Sequence, residues 1–229
     1  MNAARLDDRA LLDTLESDDA ATAGERLARV LDPDGLSLAR RDAALLLLHR
    51  ERFGETLQCT GECPSCGEAL ELELPVAELI PTSVGESDLR IACDGFEIQY
   101  RMPRSGDLAA ATDERALAER CVISARRIDD GTPIEVATLP MAVLTAMGEA
   151  MAELHPAAGL HVEVTCAVCA SRWDAALDVA TFVATRARVD ALRVIAEVHA
   201  LAAAYGWTEA EVLAVPPARR RRYLELVLA

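Results

Sequence analysis

The sequence predicts an α+β fold, mostly helical, and three observations carry that expectation. Ala and Leu supply most of the apolar mass while aromatic residues make up only 3 % of the chain. That composition suits helices, where those side chains lose little rotamer freedom. Several short segments after residue 55 alternate apolar and polar side chains with a period of two, the pattern of half-buried strands. A CxxC spacing occurs twice, each time between two strand-like segments.

Taken in order, the first 35 residues read as polar and loosely helical, with a break at Asp32-Pro33-Asp34-Gly35. Ser37 is placed to cap a helix from about Leu38 to Arg52, and Gly54 to end it. Strands are expected from Thr56 to Cys59 and from Ala69 to Leu74, where Leu70, Leu72 and Leu74 alternate with Glu71 and Glu73. Asp94-Gly95 separates Leu89-Arg90-Ile91-Ala92 from Phe96-Glu97-Ile98-Gln99-Tyr100, a hairpin signal. Helix is expected again from about Leu108 through Ile128, with Leu117, Cys121 and Ile128 on one apolar stripe. It breaks over Asp129-Asp130-Gly131-Thr132-Pro133 and resumes from about Pro140 to Leu154, before Pro156. Met141, Leu144, Met147, Met151 and Leu154 fall on one side of that helix; core is the expected role, an adaptable partner groove the alternative. A third strand pair brackets Cys166 and Cys169, and after Asp178 the chain reads as helix interrupted near Gly206 and at Pro216-Pro217. The organisation expected is an N-terminal helical arm over 1–54, a core over 55–183 and a C-terminal helical segment over 184–229.

There are 38 acidic and 23 basic side chains, a net charge of −15, and 52 % of residues are hydrophobic. So apolar a chain can bury a core in spite of its charge. Apolar runs such as Ala43 to Leu48 fall far short of the roughly 20 residues that span a bilayer. Met1-Asn2-Ala3-Ala4-Arg5-Leu6-Asp7-Asp8 resembles neither a secretory signal nor a transit peptide. The charge repels phosphate backbones and anionic lipid. A cytoplasmic protein with no membrane or nucleic-acid partner is the expectation.

Seven cysteines without an export signal read as reduced thiols, so metal ligation comes before disulfides. Laying Cys63 on Cys166, an offset of 103 residues, also lays Cys66 on Cys169, Leu70 on Trp173, Leu74 on Leu177 and Val76 on Val179. Each half is strand, CxxC knuckle, strand, then a step towards helix. CxxC lets two thiolates reach one ion from a tight turn, and a structural zinc site takes four such ligands. Cys63, Cys66, Cys166 and Cys169 are therefore the candidate ligands of one structural Zn²⁺, in a zinc ribbon split by 99 residues between Cys66 and Cys166. The alternative is two reduced pairs that bind nothing. A thioredoxin-type CxxC opens a helix, whereas both pairs here lie between strands. His161-Val162-Glu163 looks like the HxE element of a zinc deaminase but abuts the second pair, so no open-site ligand set results.

Cys59 aligns with Val162 in the repeat and reads as a packed strand residue, with replacement of a ligand as the minor alternative. Cys93 reads as incidental beside a turn. No glycine-rich phosphate loop, HExxH or GxSxG occurs, and the histidines are scattered, so no enzyme is expected. Arg219-Arg220-Arg221-Arg222 is a dense basic run in an acidic chain, followed by an apolar tail beginning Tyr223-Leu224. With Tyr205 and Trp207 it forms the candidate partner surface, since Arg, Tyr and Trp anchor interfaces. The alternatives are arginines offsetting the protein's own acids and aromatics packing the tail onto the body.

With these residues in hand, the chain resembles the baseplate hub assembly chaperones of T-even-type contractile phage tails and of contractile injection systems. The resemblance rests on Tyr205-Gly206-Trp207, the acids Glu209 and Glu211, and the ending Arg219-Arg220-Arg221-Arg222-Tyr223-Leu224. It extends to both CxxC knuckles, to Tyr100-Arg101-Met102-Pro103 with Asp107-Leu108, and to Arg120-Cys121-Val122. It runs from about residue 40 to the end and leaves the N-terminal arm out. The second knuckle departs by carrying Ala170 where glycine is usual. The resemblance implies a non-enzymatic role in assembling a contractile baseplate hub, with hub or spike proteins as partners. A permanent baseplate subunit and a zinc-ribbon adaptor for nucleic acid or a transcription complex are the competing expectations.

Overall fold

The computed structural model describes residues 7–14, 20–31, 36–80, 88–154 and 160–227. Along the chain come α1 (Asp8–Thr14), α2 (Ala20–Leu31) and α3 (Leu38–Phe53), then an antiparallel hairpin of β1 (Thr56–Glu62) and β2 (Ala69–Pro75). After α4 (Val76–Leu79), β3 (Leu89–Cys93) and β4 (Phe96–Tyr100) form a second hairpin. Next are α5 (Ser105–Ala110), α6 (Glu114–Cys121), β5 (Val122–Arg127), a 3₁₀ turn (Val136–Thr138) and α7 (Met141–Leu154). A third hairpin, β6 (Leu160–Thr165) with β7 (Arg172–Leu177), precedes α8 (Val179–Tyr205), α9 (Glu209–Ala214) and α10 (Pro217–Val227). The fold is α+β, with small antiparallel sheets among many helices. The breaks expected at 32–35 and ahead of Pro156 lie outside the described residues.

Local chemistry accounts for many of these boundaries. Ser37 Oγ accepts from the Arg40 N–H at 3.3 Å to start α3, and Gly54, at φ 112°, ends it. Asp94 and Gly95 have φ of 49° and 83°, the paired positive values a two-residue hairpin turn requires. Thr208 and Glu211 cap α9 reciprocally, and Pro217 opens α10, where its missing N–H is no loss.

One expectation is overturned. The helix predicted from Leu108 to Ile128 is instead α5 and α6, parted at 111–113 and ending at Cys121, and residues 122–127 become β5 on the edge of β4. Val122 and Ile123 are β-branched and stiff in a helix, while the β4 edge offers a ladder that seats Ala125 opposite Ile98 in the core. Cys121 is buried as expected, but Ile128 follows the strand and is 55 % exposed.

Two compact units emerge, Asp34–Asp178 and the pair of terminal segments Met1–Pro33 with Val179–Ala229. These boundaries differ from the consecutive segments 1–54, 55–183 and 184–229. In the terminal unit α2 lies so close to α8 that a Cβ on Gly24 would sit 2.6 Å from the Ala180 carbonyl oxygen. Buried Ala180, Ala184, Ala187 and Ala191 give α8 the small-residue surface that permits this approach. Inside the 34–178 unit, Ile98, Tyr100, Leu139, Val143, Leu144 and Met147 centre a core between the β3–β4–β5 sheet and α7. Met151 and Leu154 pack against it, so the predicted methionine stripe is largely core, although Met141 is partly open to solvent.

Candidate metal centre

The β1–β2 and β6–β7 hairpins repeat one register. Leu57 lies opposite Leu74 and Glu62 opposite Ala69 in the first, and Leu160 opposite Leu177 and Thr165 opposite Arg172 in the second. Every pair is displaced by the same 103 residues that relate the cysteines. The knuckles match in their hydrogen bonds too. Cys63 N–H donates to Glu68 O at 2.8 Å and Gly67 N–H to Cys63 O at 2.9 Å; Cys166 N–H donates to Ser171 O at 2.9 Å and Ala170 N–H to Cys166 O at 3.0 Å. Gly67 and Ala170 hold equivalent left-handed backbone, φ 73° and 59°. Ala170 therefore keeps the turn that glycine makes in the first knuckle, at the strain of a Cβ in that region.

This duplicated geometry brings four sulfurs together. Cys63, Cys66, Cys166 and Cys169 have sulfurs all within 4.8 Å of one another. Cys63 Sγ is 3.7 Å from Cys169 Sγ, and Cys66 Sγ is 3.7 Å from Cys166 Sγ. A tetrahedral metal with bonds of about 2.3 Å to sulfur has sulfur–sulfur edges of about 3.8 Å, so the residues present fit such an ion. Cys63 and Cys166 are buried, whereas Cys66 and Cys169 face solvent. Ser65 and Ser171 join across the two knuckles by a 2.8 Å hydroxyl–hydroxyl bond.

The electrostatics point the same way. Burial opposes ionisation of Cys63, but the backbone amides of Ser65 and Cys66, with the Cys169 and Cys66 thiols, lower its pKa to about 7. At Cys66 the Glu68 amide favours the thiolate; the Cys169 sulfur, burial and the other two sulfurs outweigh it and push the pKa up to about 12. At Cys169 the Ser171 amide and the Cys66 thiol favour the thiolate, but burial and the Cys63 and Cys166 sulfurs outweigh them and raise its pKa. The Cys63 thiolate forms readily, whereas Cys66 and Cys169 resist ionisation beside their sulfur neighbours. A cation among them removes that resistance.

The remaining candidates fall elsewhere. Cys59 lies in β1 opposite Leu72, Cys93 pairs with Phe96 beside its turn, and Cys121 is buried under α7's core; none joins the four. Burial raises the pKa of all three thiols. His161 and Glu163 are exposed residues of β6 outside the cluster.

The partner candidates all lie in the terminal unit, where the aromatic ones meet one another. Tyr205 and Trp207 stack with ring centroids 5.0 Å apart, and Tyr223 meets both edge-on at 5.8 and 5.3 Å. Arg219, Arg221 and Arg222 are exposed, but Arg220 is only 1 % exposed. Its guanidinium pairs with Asp8 of α1 and, through Nε at 3.2 Å, with Glu197 of α8. One member of the basic run thus serves the protein's own interior.

An ionic knot that charge counting missed lies in the other unit. Arg101 donates to both Asp107 carboxylate oxygens at 2.6 and 2.9 Å and to the Arg120 carbonyl at 2.9 Å. The Arg104 N–H also donates to Asp107, and Arg120 Nε lies 3.3 Å from it. The Arg101 guanidinium outweighs burial and, with the Arg104 amide and Arg120, lowers the Asp107 pKa to about 2. Only the short motifs around Arg101, Asp107 and Arg120 signalled it in the sequence.

A family model described as T4 bacteriophage base plate protein matches residues 7–178. The match takes in the N-terminal arm that the resemblance left out, and it ends before the C-terminal stretch on which the resemblance chiefly rested. No curated protein and no solved structure matches the chain. Among the described residues, no helix is long and apolar enough to cross a membrane.

Proposed function

The chain belongs to the family of T4 bacteriophage base plate proteins, and on that footing we propose that it is a non-enzymatic assembly chaperone of a contractile baseplate hub. The family match over residues 7–178 carries the baseplate role. The chaperone role rests on the likeness of residues 197–224 to hub assembly chaperones. Its partners on this reading are hub or spike proteins, engaged by Tyr205, Trp207, Tyr223 and the exposed Arg219, Arg221 and Arg222. Residues 34–178 hold 25 of the 38 acidic side chains and 12 of the 23 basic ones, which weighs against a nucleic-acid adaptor.

Cys63, Cys66, Cys166 and Cys169 hold one structural Zn²⁺ in this reading, and the two hairpins form a split zinc ribbon. Four protein ligands close a tetrahedral site, leaving no position for substrate. The ion supplies positive charge that lets all four thiolates coexist. The chain supplies the rest: two matched turns, amides aimed at sulfur, and the Ser65–Ser171 bond between knuckles.

Co-expression with hub and spike proteins tests the function. The protein should co-purify with a hub or spike component and be missing from purified sheathed particles. Its presence in finished particles would identify a permanent subunit instead. Elemental analysis should find one zinc per chain, and Cys66→Ser should lower both zinc content and melting temperature. Full-strength folding in Cys66→Ser protein would remove the structural role from the site.

A further inference from the structure

α8 is 27 residues long, about 40 Å, and among the described residues its buried side chains gather on one face. Ala180, Val183, Ala187, Ala191, Val194 and Leu201 are buried along that face. The opposite face of such a helix is normally polar. Here Val189, Leu192 and Ile195 stand on it 57, 62 and 52 % exposed. The exposed residues Thr185, Val189, Leu192, Ala196, His199 and Ala203 follow one another at alternating intervals of four and three. That is the seven-residue repeat of a helix–helix seam.

Two further features specify the occupant. In a chain with 38 acidic side chains this seam has none; the two acids of α8, Asp190 and Glu197, lie off it and both pair with Arg193. The seam is also graded: Val189 and Leu192 fill its first half, whereas Ala196 and Ala203, on either side of His199, leave the second half small apart from that imidazole. A two-fold axis set midway between Leu192 and Ala196 turns that gradient on itself. Leu192 then meets Ala196 of the second copy, Val189 meets His199, and Thr185 meets Ala203. Ile195 lies next to the axis and meets its own counterpart. A parallel pair would instead stack Ala196 on Ala196 and leave that layer hollow.

We propose that α8 is a self-association seam, through which two copies of this chain pair as antiparallel helices about a two-fold axis near residue 194. The interface is isologous, the usual way in which identical chains close on each other. Arg193 faces its counterpart across the axis, and its charge is already matched by Asp190 and Glu197 on its own helix. One helix pair buries less than the roughly 800 Å² per partner of a standard interface, so the affinity expected is on the order of tens of micromolar.

Sedimentation equilibrium of the full chain from about 1 to 300 µM measures this directly. Wild type should pass from monomer to dimer across that range. Ala196→Leu makes the free helix more apolar but collides with Leu192 of the second copy, so dimerisation should weaken by about tenfold or more. The swap Leu192→Ala with Ala196→Leu restores one large and one small residue per layer and should return affinity to within about threefold of wild type. Both positions face solvent in the monomer, so melting temperatures of dilute samples should stay within about 2 °C. Three results would each overturn the proposal: monomer throughout, tighter association of Ala196→Leu, or a swap that fails to recover.

Discussion

Replacing Arg220 by Met separates the interior role of one arginine from the surface role of its neighbours. Met keeps much of the side-chain volume and removes the guanidinium that Asp8 and Glu197 share. Removing one partner of a buried ion pair costs about 3–5 kcal/mol, because the remaining charge stays in a poor solvent. Glu197 keeps Arg193 as a partner, which places the loss near the lower end, about 3 kcal/mol. For a chain of this length that is a fall in melting temperature of about 6–12 °C. Arg219, Arg221 and Arg222 are exposed, and the same change at each should stay within about 0.5 kcal/mol of wild type. Thermal and urea unfolding of the four single variants provide the comparison. A cycle with Asp8→Asn should return a coupling of at least about 1 kcal/mol with Arg220 and none with Arg221. If Arg220→Met melts with wild type, or if Arg221→Met melts as low, the interior assignment is refuted.

Three other perturbations probe the units separately. Gly24→Ala should destabilise by about 1–3 kcal/mol despite alanine's better helix propensity, since the new methyl meets the Ala180 backbone; Gly148→Ala in α7, with open space around it, should stabilise by about 0.5–1 kcal/mol. Unfolding curves that shift the same way in both variants would contradict the close α2–α8 approach. Asp107 has a folded pKa of about 2, below its ordinary value near 3.9, so its contribution is complete above about pH 4 and is lost as pH falls towards 2. Screened by solvent around Arg120, that contribution is about 1–2 kcal/mol, and the stability gap between wild type and Asp107→Asn should narrow from pH 5 to pH 2.5. A gap that stays constant over that interval would mean the carboxylate charge is not what stabilises the knot.

What could be read in advance tracks how local the determining chemistry is. Ser37, Gly54 and Asp94-Gly95 act within a few residues, and each boundary they mark appears where expected. The cysteine cluster was legible although its halves are distant, because the duplication writes the same knuckle twice and a shared ion would need both. Val122 to Arg127 were misread because their strand character depends on the edge of β4, which no window around them contains. Arg220 was read with its neighbours for a similar reason: adjacent arginines look alike until α1 and α8 enclose one of them. Gly24 gave no signal at all, since its role is set by the α8 backbone some 150 residues later.

The two knuckles also impose a schedule on synthesis. Cys63 and Cys66 leave the ribosome about 100 residues before Cys166, and at roughly 5–20 residues per second that is an interval of about 5–20 s. During it the first hairpin carries only two of the four thiols that later cluster. The β3–β5 strands, α6 and α7 are translated within that window, and their contacts are short in sequence, so they can condense while the knuckle waits. α1 and α2 wait longer still, because α8 follows the second knuckle. The chain is therefore nested like brackets, with the inside completed first and the outermost pair closed last. A nascent chain stalled before residue 166 presents both an unpaired dithiol and an N-terminal helix pair lacking its platform. Quality control would meet the protein in that state before any other baseplate protein does.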